Sequence, residues 1–247
     1  MRLTIAGCGD AFGSGGRLNT CFFLETAKAE LLVDCGASAL PALKAQRIDP
    51  NRIEAIVLSH LHGDHFGGLP FFLLDAHFLA RRERPLLIAG PPGSRTRIDA
   101  ALEVFFPKST GIKWRFPWHV EEIEPGVEAQ VLGHSVLSAE VIHQSGAPST
   151  ALRLSDGATI FAYSGDTEWT DALMPIAAQA DLFVCECYNF AGKLTGHMNW
   201  EFLRTRLSDL RAQRIMLTHM NPTMLARLDE VMDDGVMLAA DGLVVEF

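Results

Sequence analysis

None of the apolar runs in this chain approaches the roughly 18–20 residues that span a bilayer, so no transmembrane helix is expected. Cysteine is scarce: there are five, an odd number without framework spacing, which argues against a disulfide scaffold and suits a reducing interior. The opening residues Met1-Arg2-Leu3-Thr4-Ile5-Ala6-Gly7 read as a strand entering a glycine turn. They lack the long apolar region of a secretion signal, and a cytoplasmic location is the expectation. Low-complexity linkers and repeats of 20–50 residues are also missing, which leaves residues 1–247 to be read as one domain. Positive charge is in short supply, with 21 Lys and Arg against 30 Asp and Glu and a formal net charge of −9. That balance argues against tight, non-specific binding to a polyanion, so nucleic acid is not the expected partner. The run Arg81-Arg82-Glu83-Arg84 is read as the solvated end of a helix.

Strand-like runs occupy 2–6, 21–25, 30–34, 54–58 and 86–89. A second group follows at 127–132, 137–143, 150–154, 158–163, 181–186, 213–217 and 242–246. Helical signals lie at 66–82, 94–105, 170–179, 199–210 and 222–232. Thr195 or Asn199 is a candidate cap for the fourth helix and Asp166 or Thr170 for the third. Strands alternating with helices predict a layered α/β domain with sheets covered by helices.

The densest chemistry is Ser59-His60-Leu61-His62-Gly63-Asp64-His65, directly after the apolar run Ile56-Val57-Leu58. Four groups able to bind a transition metal fall within six residues, and no packing requirement explains them. His60 and His62 have the i, i+2 spacing that points two side chains the same way from an extended segment. Asp64 and His65, beyond the turn at Gly63, can face a second position. Three further candidates also follow apolar runs: His143, Asp166 and His219. Side chains supplied from strand ends, on loops held by a rigid scaffold, are how α/β sheets build sites.

With those residues in view, the chain resembles the metallo-β-lactamase fold superfamily, in the branch that contains ribonuclease Z and small phosphodiesterases. Its blocks occur in order: Gly7-Cys8-Gly9-Asp10-Ala11-Phe12-Gly13, Asp34-Cys35-Gly36, the His60–His65 cluster, His143 with Ser145-Gly146, Ser164-Gly165-Asp166-Thr167, and Leu217-Thr218-His219. The resemblance implies a four-layer αβ/βα sandwich, two mixed β-sheets flanked by helices, with a dinuclear site at the edge between them. It implies two divalent metal ions, zinc first, with manganese or iron as alternatives. One ion would take His60, His62 and His143. The other would take Asp64, His65 and His219, with Asp166 bridging and Asp34 behind the site as a structural partner. Such a pair can hold a bridging hydroxide and stabilise charge on substrate oxygens, and Asp64 would orient the attack. The branch pairs a histidine ahead of a helix with an upstream glutamate to protonate the leaving alkoxide, and His197 and Glu186 match those positions.

The chain departs from ribonuclease Z where a long basic arm grips transfer RNA. Only 22 residues separate His143 from Asp166, enough for two strands and a turn. The expected function is therefore a phosphodiesterase acting on a small, anionic or nucleotide-like molecule. Hydrolysis of a lactone, thioester or sulfate ester is the alternative on the same site, and RNA processing is disfavoured. A homodimer is compatible with the resemblance. Cys185-x-Cys187 is read as a buried pair, His77, His119 and His134 as non-catalytic, and Gly7-x-Gly9 as no cofactor loop. The aromatic segment from Phe105 to Trp118 either walls the pocket or serves a core or dimer contact.

Overall fold

The computed structural model describes residues 1–232 and 234–247. Its strands are Arg2–Gly7 (β1), Cys21–Glu25 (β2), Glu30–Val33 (β3), Ala55–Val57 (β4), Leu86–Gly90 (β5), Trp118–Glu122 (β6), Glu128–Val131 (β7), His134–Glu140 (β8), Thr150–Ser155 (β9), Ile160–Tyr163 (β10), Leu182–Glu186 (β11), Ile215–Thr218 (β12), Met237–Leu238 (β13) and Val244–Glu246 (β14). They form two seven-stranded sheets, in the orders β14-β1-β2-β3-β4-β5-β6 and β13-β12-β11-β10-β9-β8-β7. The helices are Ala39–Ala45 (α1), Gly63–Phe66 (α2), Leu69–Phe78 (α3), Ser94–Phe105 (α4), Leu173–Ala177 (α5), Trp200–Leu203 (α6), Leu207–Leu210 (α7), Pro222–Leu225 (α8) and Leu228–Met232 (α9). None of the described helices is long and apolar enough to cross a membrane.

Strand alternation explains the layers. In β4 and the residue after it, Ala55 and Val57 enter the core between the sheets. Ile56 and Leu58 face the opposite way, into the cluster with Leu69, Phe72 and Leu73 of α3. In β11, Leu182 and Val184 enter the inter-sheet core, while Phe183 and Cys185 meet Leu173 and Ile176 of α5. Strands buried on both faces need apolar residues at every position, which is why they read as continuous runs. The result is the helix–sheet–sheet–helix sandwich that the motifs imply.

The same sheets set the functional edge. The β3–β4–β5–β6 pairs are parallel, as are β10–β11–β12–β13. β9 is antiparallel to both β8 and β10, so those two also run the same way. The carboxyl ends of β4, β8, β10 and β12 therefore lead into the segments bearing His60, His143, Asp166 and His219, and Glu186 is the last residue of β11. Cross-sheet hydrogen bonds tie this edge together: Thr150 donates to the Ser59 carbonyl from its amide (3.0 Å) and its hydroxyl (2.7 Å). The His219 amide donates to the Cys8 carbonyl at 3.1 Å.

Several sequence expectations are corrected. The helical signal at 66–82 is split at Gly67-Gly68 and ends at Phe78. A Cβ on Gly68 would lie 2.2 Å from the Gly36 carbonyl oxygen, so the break lets the 35–36 turn pack closely. Residues 199–210 and 222–232 each form two short helices, not one. Asn199 caps α6 by accepting from the Phe202 amide, whereas Ala172, not Asp166 or Thr170, occupies the cap of α5. Helix α1 and strands β6 and β13 lack a readable signal: α1 carries Pro41, β6 is an edge strand with mostly polar, exposed residues, and β13 has two residues. Arg82 is not solvated. Its buried guanidinium donates to the carbonyls of Arg84 (2.8 Å) and Pro85 (2.7 Å), and burial lowers its pKa to about 10.

Among the other residues singled out, His134 is buried, with Nδ1 against the Val131 carbonyl (3.1 Å) and Nε2 against the Thr26 hydroxyl (2.8 Å). His77 accepts from the Arg115 amide, and His119 is exposed beside Glu121. All five cysteines are free and buried. The 105–118 segment packs on the helical layer of the first sheet, with Phe116 buried there and Phe105 against Phe71.

Candidate metal centre

The turn after β4 carries His60, His62, Asp64 and His65 in one short span. Gly36 makes room beneath it, since a Cβ there would sit 2.1 Å from the Asp64 carbonyl oxygen. Gly36→Ala should therefore lower stability by about 1–3 kcal/mol through overpacking and loosen the Asp64 turn. Thermal unfolding and metal content of the variant measure both effects; a variant with wild-type values of each would refute this role of Gly36.

The structure brings the candidate donors into two groups. Nitrogens of His60, His62 and His143 lie within 4.8 Å of one another, as do donor atoms of Asp64, His65, Asp166 and His219. Asp166 stands between the groups. Its Oδ2 is 3.9 Å from Nε2 of both His60 and His143, and 3.3 Å from Nε2 of both His65 and His219.

In His60 and His65 the outer nitrogen is occupied and the inner one is free, whereas the inner nitrogen of His143 meets His62 Nδ1 at 2.9 Å and that of His219 meets Asp64 Oδ2 at 3.2 Å. His65 Nδ1 meets Asp34 Oδ2 at 2.7 Å, and His143 Nδ1 meets the Gly196 carbonyl at 2.7 Å. His60 Nδ1 lies 3.1 Å from the Ser59 hydroxyl, which itself donates to Asp34 Oδ2 at 2.7 Å. Contacts of this kind fix the orientation and tautomer of an imidazole, as they do where histidines bind metals. Meanwhile Nε2 of His60, Nε2 of His65 and Oδ1 of Asp166 are buried without a hydrogen-bond partner. Buried polar atoms are nearly always satisfied, and three left open in one place fit bound cations. Imidazole and carboxylate donors in this number fit zinc, manganese or iron alike.

The electrostatics agree with that fit. Burial pushes His60, His62 and His143 down, which keeps their rings neutral and their lone pairs available. Burial also pulls on His65, but Asp166, Asp64 and Asp34 outweigh it and hold its pKa well above the usual range. His219 is raised in the same way, chiefly by Asp166 against the effect of burial. Asp64 and Asp166 resist burial and are lowered by the imidazoles facing them.

Beside this cluster, His197 Nδ1 is hydrogen-bonded to Glu186 Oε1, and the Met198 amide donates to Glu186 Oε2 at 2.7 Å. Asp166, Glu186, His197 and His219 form a third group within the same limit. Both oxygens of Glu186 are thus engaged, one with the His197 ring and one with the Met198 amide. Burial lowers the His197 pKa, but the bond from Glu186 outweighs it and the net shift is upward. Burial raises Glu186.

Residues outside the sequence motifs also border the site. Tyr188 stacks on His197 with ring centroids 4.5 Å apart and 27° between planes. Glu168 accepts from the Gly196 amide at 3.0 Å, linking the loop after Asp166 to the loop before His197. Only their proximity to Asp166 and Glu186 in sequence hints at them.

A family model described as Anti-Pycsar protein Apyc1 matches residues 1–239. The chain is 28% identical over 230 residues to the probable metallo-hydrolase YhfI of Bacillus subtilis, covering 89% of this chain and 87% of that protein. It is 36% identical over 126 residues to ribonuclease Z of Geobacillus kaustophilus, but spans only 38% of that protein's length. The crystal structure of the metallo-β-lactamase fold protein YhfI superposes with a TM-score of 0.78 at 23% identity, covering 100% of this chain and 99% of that one. Human tRNase Z, short form, superposes with a TM-score of 0.80 at 23% identity and the same coverage. The fold is thus the metallo-β-lactamase fold, in its ribonuclease Z and phosphodiesterase-like branch.

Proposed function

This chain belongs to the family described as Anti-Pycsar protein Apyc1, and from that premise we propose a dinuclear metal-dependent hydrolase whose substrate is a small, nucleotide-like phosphodiester. The observation that carries the reading is the pair of donor groups sharing Asp166 between them. His60, His62 and His143 would hold one ion, and Asp64, His65 and His219 the other. Two divalent ions, when bound, would bring the pKa of water from 15.7 to about 7 and offset charge on the phosphoryl oxygens.

The chain's own residues supply the remainder. Asp64 Oδ2 lies 3.2 Å from His219 Nε2 and 3.3 Å from His65 Nε2, and its other oxygen would accept a hydrogen bond from the attacking water. Glu186 fixes the His197 ring through Nδ1, so Nε2 is the nitrogen that would deliver a proton to the leaving oxygen. A phosphodiester gains most from such a proton donor because its leaving alkoxide is strongly basic. The size preference has two supports. The stretch between His143 and Asp166 is filled by β9 and β10, which leaves no inserted arm there, and the net charge of −9 disfavours a polyanionic partner.

Turnover by protein reconstituted with Zn²⁺ or Mn²⁺ tests the reading. Bis(p-nitrophenyl) phosphate should be hydrolysed, with aryl sulfates and lactones at least tenfold slower in kcat/KM. A preference for either of those would replace the phosphodiester assignment with hydrolysis of that bond.

A further inference from the structure

A cavity of about 270 Å³ opens beside the metal centre and shares one wall with it, the ring of His197. Its other walls include Glu168, Trp169, Lys193, Met198 and Phe202. Resting on the phosphodiesterase reading, we propose that this cavity is the leaving-group subsite and takes an uncharged, planar aromatic group carried on the leaving-oxygen side of the ester, such as a nucleoside base or a phenol ring.

Its position follows from His197. On hydrolysis the water oxygen forms a new bond to phosphorus and the ester P–O bond breaks. The bonding pair stays on the leaving oxygen, which takes its proton from His197. Whatever is attached to that oxygen therefore lies next to the His197 ring, and the cavity borders that ring.

Its chemistry follows from the walls. Trp169 and Phe202 lie 6.2 Å apart, centroid to centroid, at 64° to each other, an aromatic corner rather than a polar cleft. The charged groups lining it are already matched. Lys193 Nζ is 3.1 Å from Glu168 Oε2, and Glu168 Oε1 holds the Gly196 amide. The guanidinium of Arg206 lies 4.7 Å over the Trp169 ring while pairing with Asp209 at 2.7 Å. Among the described residues no unmatched cation is left there for a second phosphate, whereas aromatic faces bind bases and aryl rings through stacking.

The corner is also built to stay in place. Phe202 stands on α6, which is capped by Asn199 and anchored by the fully buried Trp200 and by Leu203. Trp169 leaves the chain three residues after Asp166 and is tied to the His197 loop through its neighbour Glu168. Each loop thus carries both a residue of the reacting centre and a wall of the cavity.

Two substrates with one leaving group give the test. Bis(p-nitrophenyl) phosphate and methyl p-nitrophenyl phosphate both release p-nitrophenol but keep different groups on phosphorus. Trp169→Ala should lower kcat/KM about tenfold on both, mainly through KM, with metal content unchanged, and Trp169→Phe should restore most of the loss. Phe202→Ser, at a side chain 44% exposed, should act in the same direction without endangering the fold. In a binding measurement free of turnover, titration calorimetry with adenosine should show weaker binding to Trp169→Ala than to the unmodified protein. Unchanged kinetics on both esters, a loss confined to the bis ester, or equal adenosine affinity would each overturn the subsite. Failure of the unmodified, metal-loaded protein to hydrolyse either diester would instead overturn the phosphodiesterase reading on which the subsite rests.

Discussion

Asp166→Ala should leave the folded protein with less than one tightly bound metal ion per chain and reduce turnover by more than about 1000-fold. The expectation rests on position: Oδ2 of Asp166 is the donor atom placed within 3.9 Å of imidazole nitrogens from both groups. On the proposed assignment, removing it would take a negative charge from between two cations and a shared ligand from each. A metal ion contributes several kcal/mol of charge stabilisation to such reactions, and each 1.36 kcal/mol is a factor of ten in rate. His60→Ala provides the asymmetric comparison, because it deletes a ligand from one group and leaves Asp64, His65 and His219 intact. Elemental analysis after reconstitution, read beside the rate of bis(p-nitrophenyl) phosphate hydrolysis, measures both. Two ions retained in Asp166→Ala would mean that the carboxylate does not bridge.

His197→Ala should behave differently, keeping its metal while losing rate. The ring stands outside the two donor groups assigned to the ions, held by Glu186 and stacked on Tyr188. General acid catalysis contributes typically about 10²–10⁴-fold. That full loss is expected for esters with an alkyl leaving group, whose alkoxide cannot depart unprotonated. With p-nitrophenolate, a stable anion, the loss should shrink to about tenfold or less. Glu186→Gln should follow the same leaving-group trend at smaller amplitude, since the amide can still orient the ring but cannot support its positive charge. Rates independent of leaving group in His197→Ala would remove this residue from proton transfer, with metal content establishing that the centre itself is intact.

The contrast between these variants mirrors what could be read without coordinates. The cluster from His60 to His65 is local: its ligands sit on one turn after one strand, and their spacing declares a metal site before any fold is known. His143, Asp166 and His219 each stand just past an apolar run, so the strand-end rule marks them as well, whereas Asp34 is legible only through resemblance. The Glu186–His197 pair is legible only through resemblance, because 11 residues and a change of direction lie between the two side chains. Trp169, Phe202 and Tyr188 carry no motif. An aromatic residue on a loop looks the same in sequence whether it fills a core, covers a patch or walls a cavity.

Helix boundaries failed for a related reason. The continuous helical signal at 66–82 did not foresee that Gly67-Gly68 must admit the 35–36 turn, a contact between segments about thirty residues apart. Arg82 was misread because a basic run ordinarily stays in water, and only the folded chain offers the carbonyls of Pro85 and Arg84 that make its burial tolerable. By itself the amino-acid order settled the layered architecture, through strands apolar on both faces, and named the donor atoms, through residue chemistry and spacing. The tertiary structure decided which polar contacts hold each imidazole, which carboxylate lies between the two groups, and where a cavity opens beside His197. Those are distances between segments remote in sequence, and they come into being only when two sheets close on a common core.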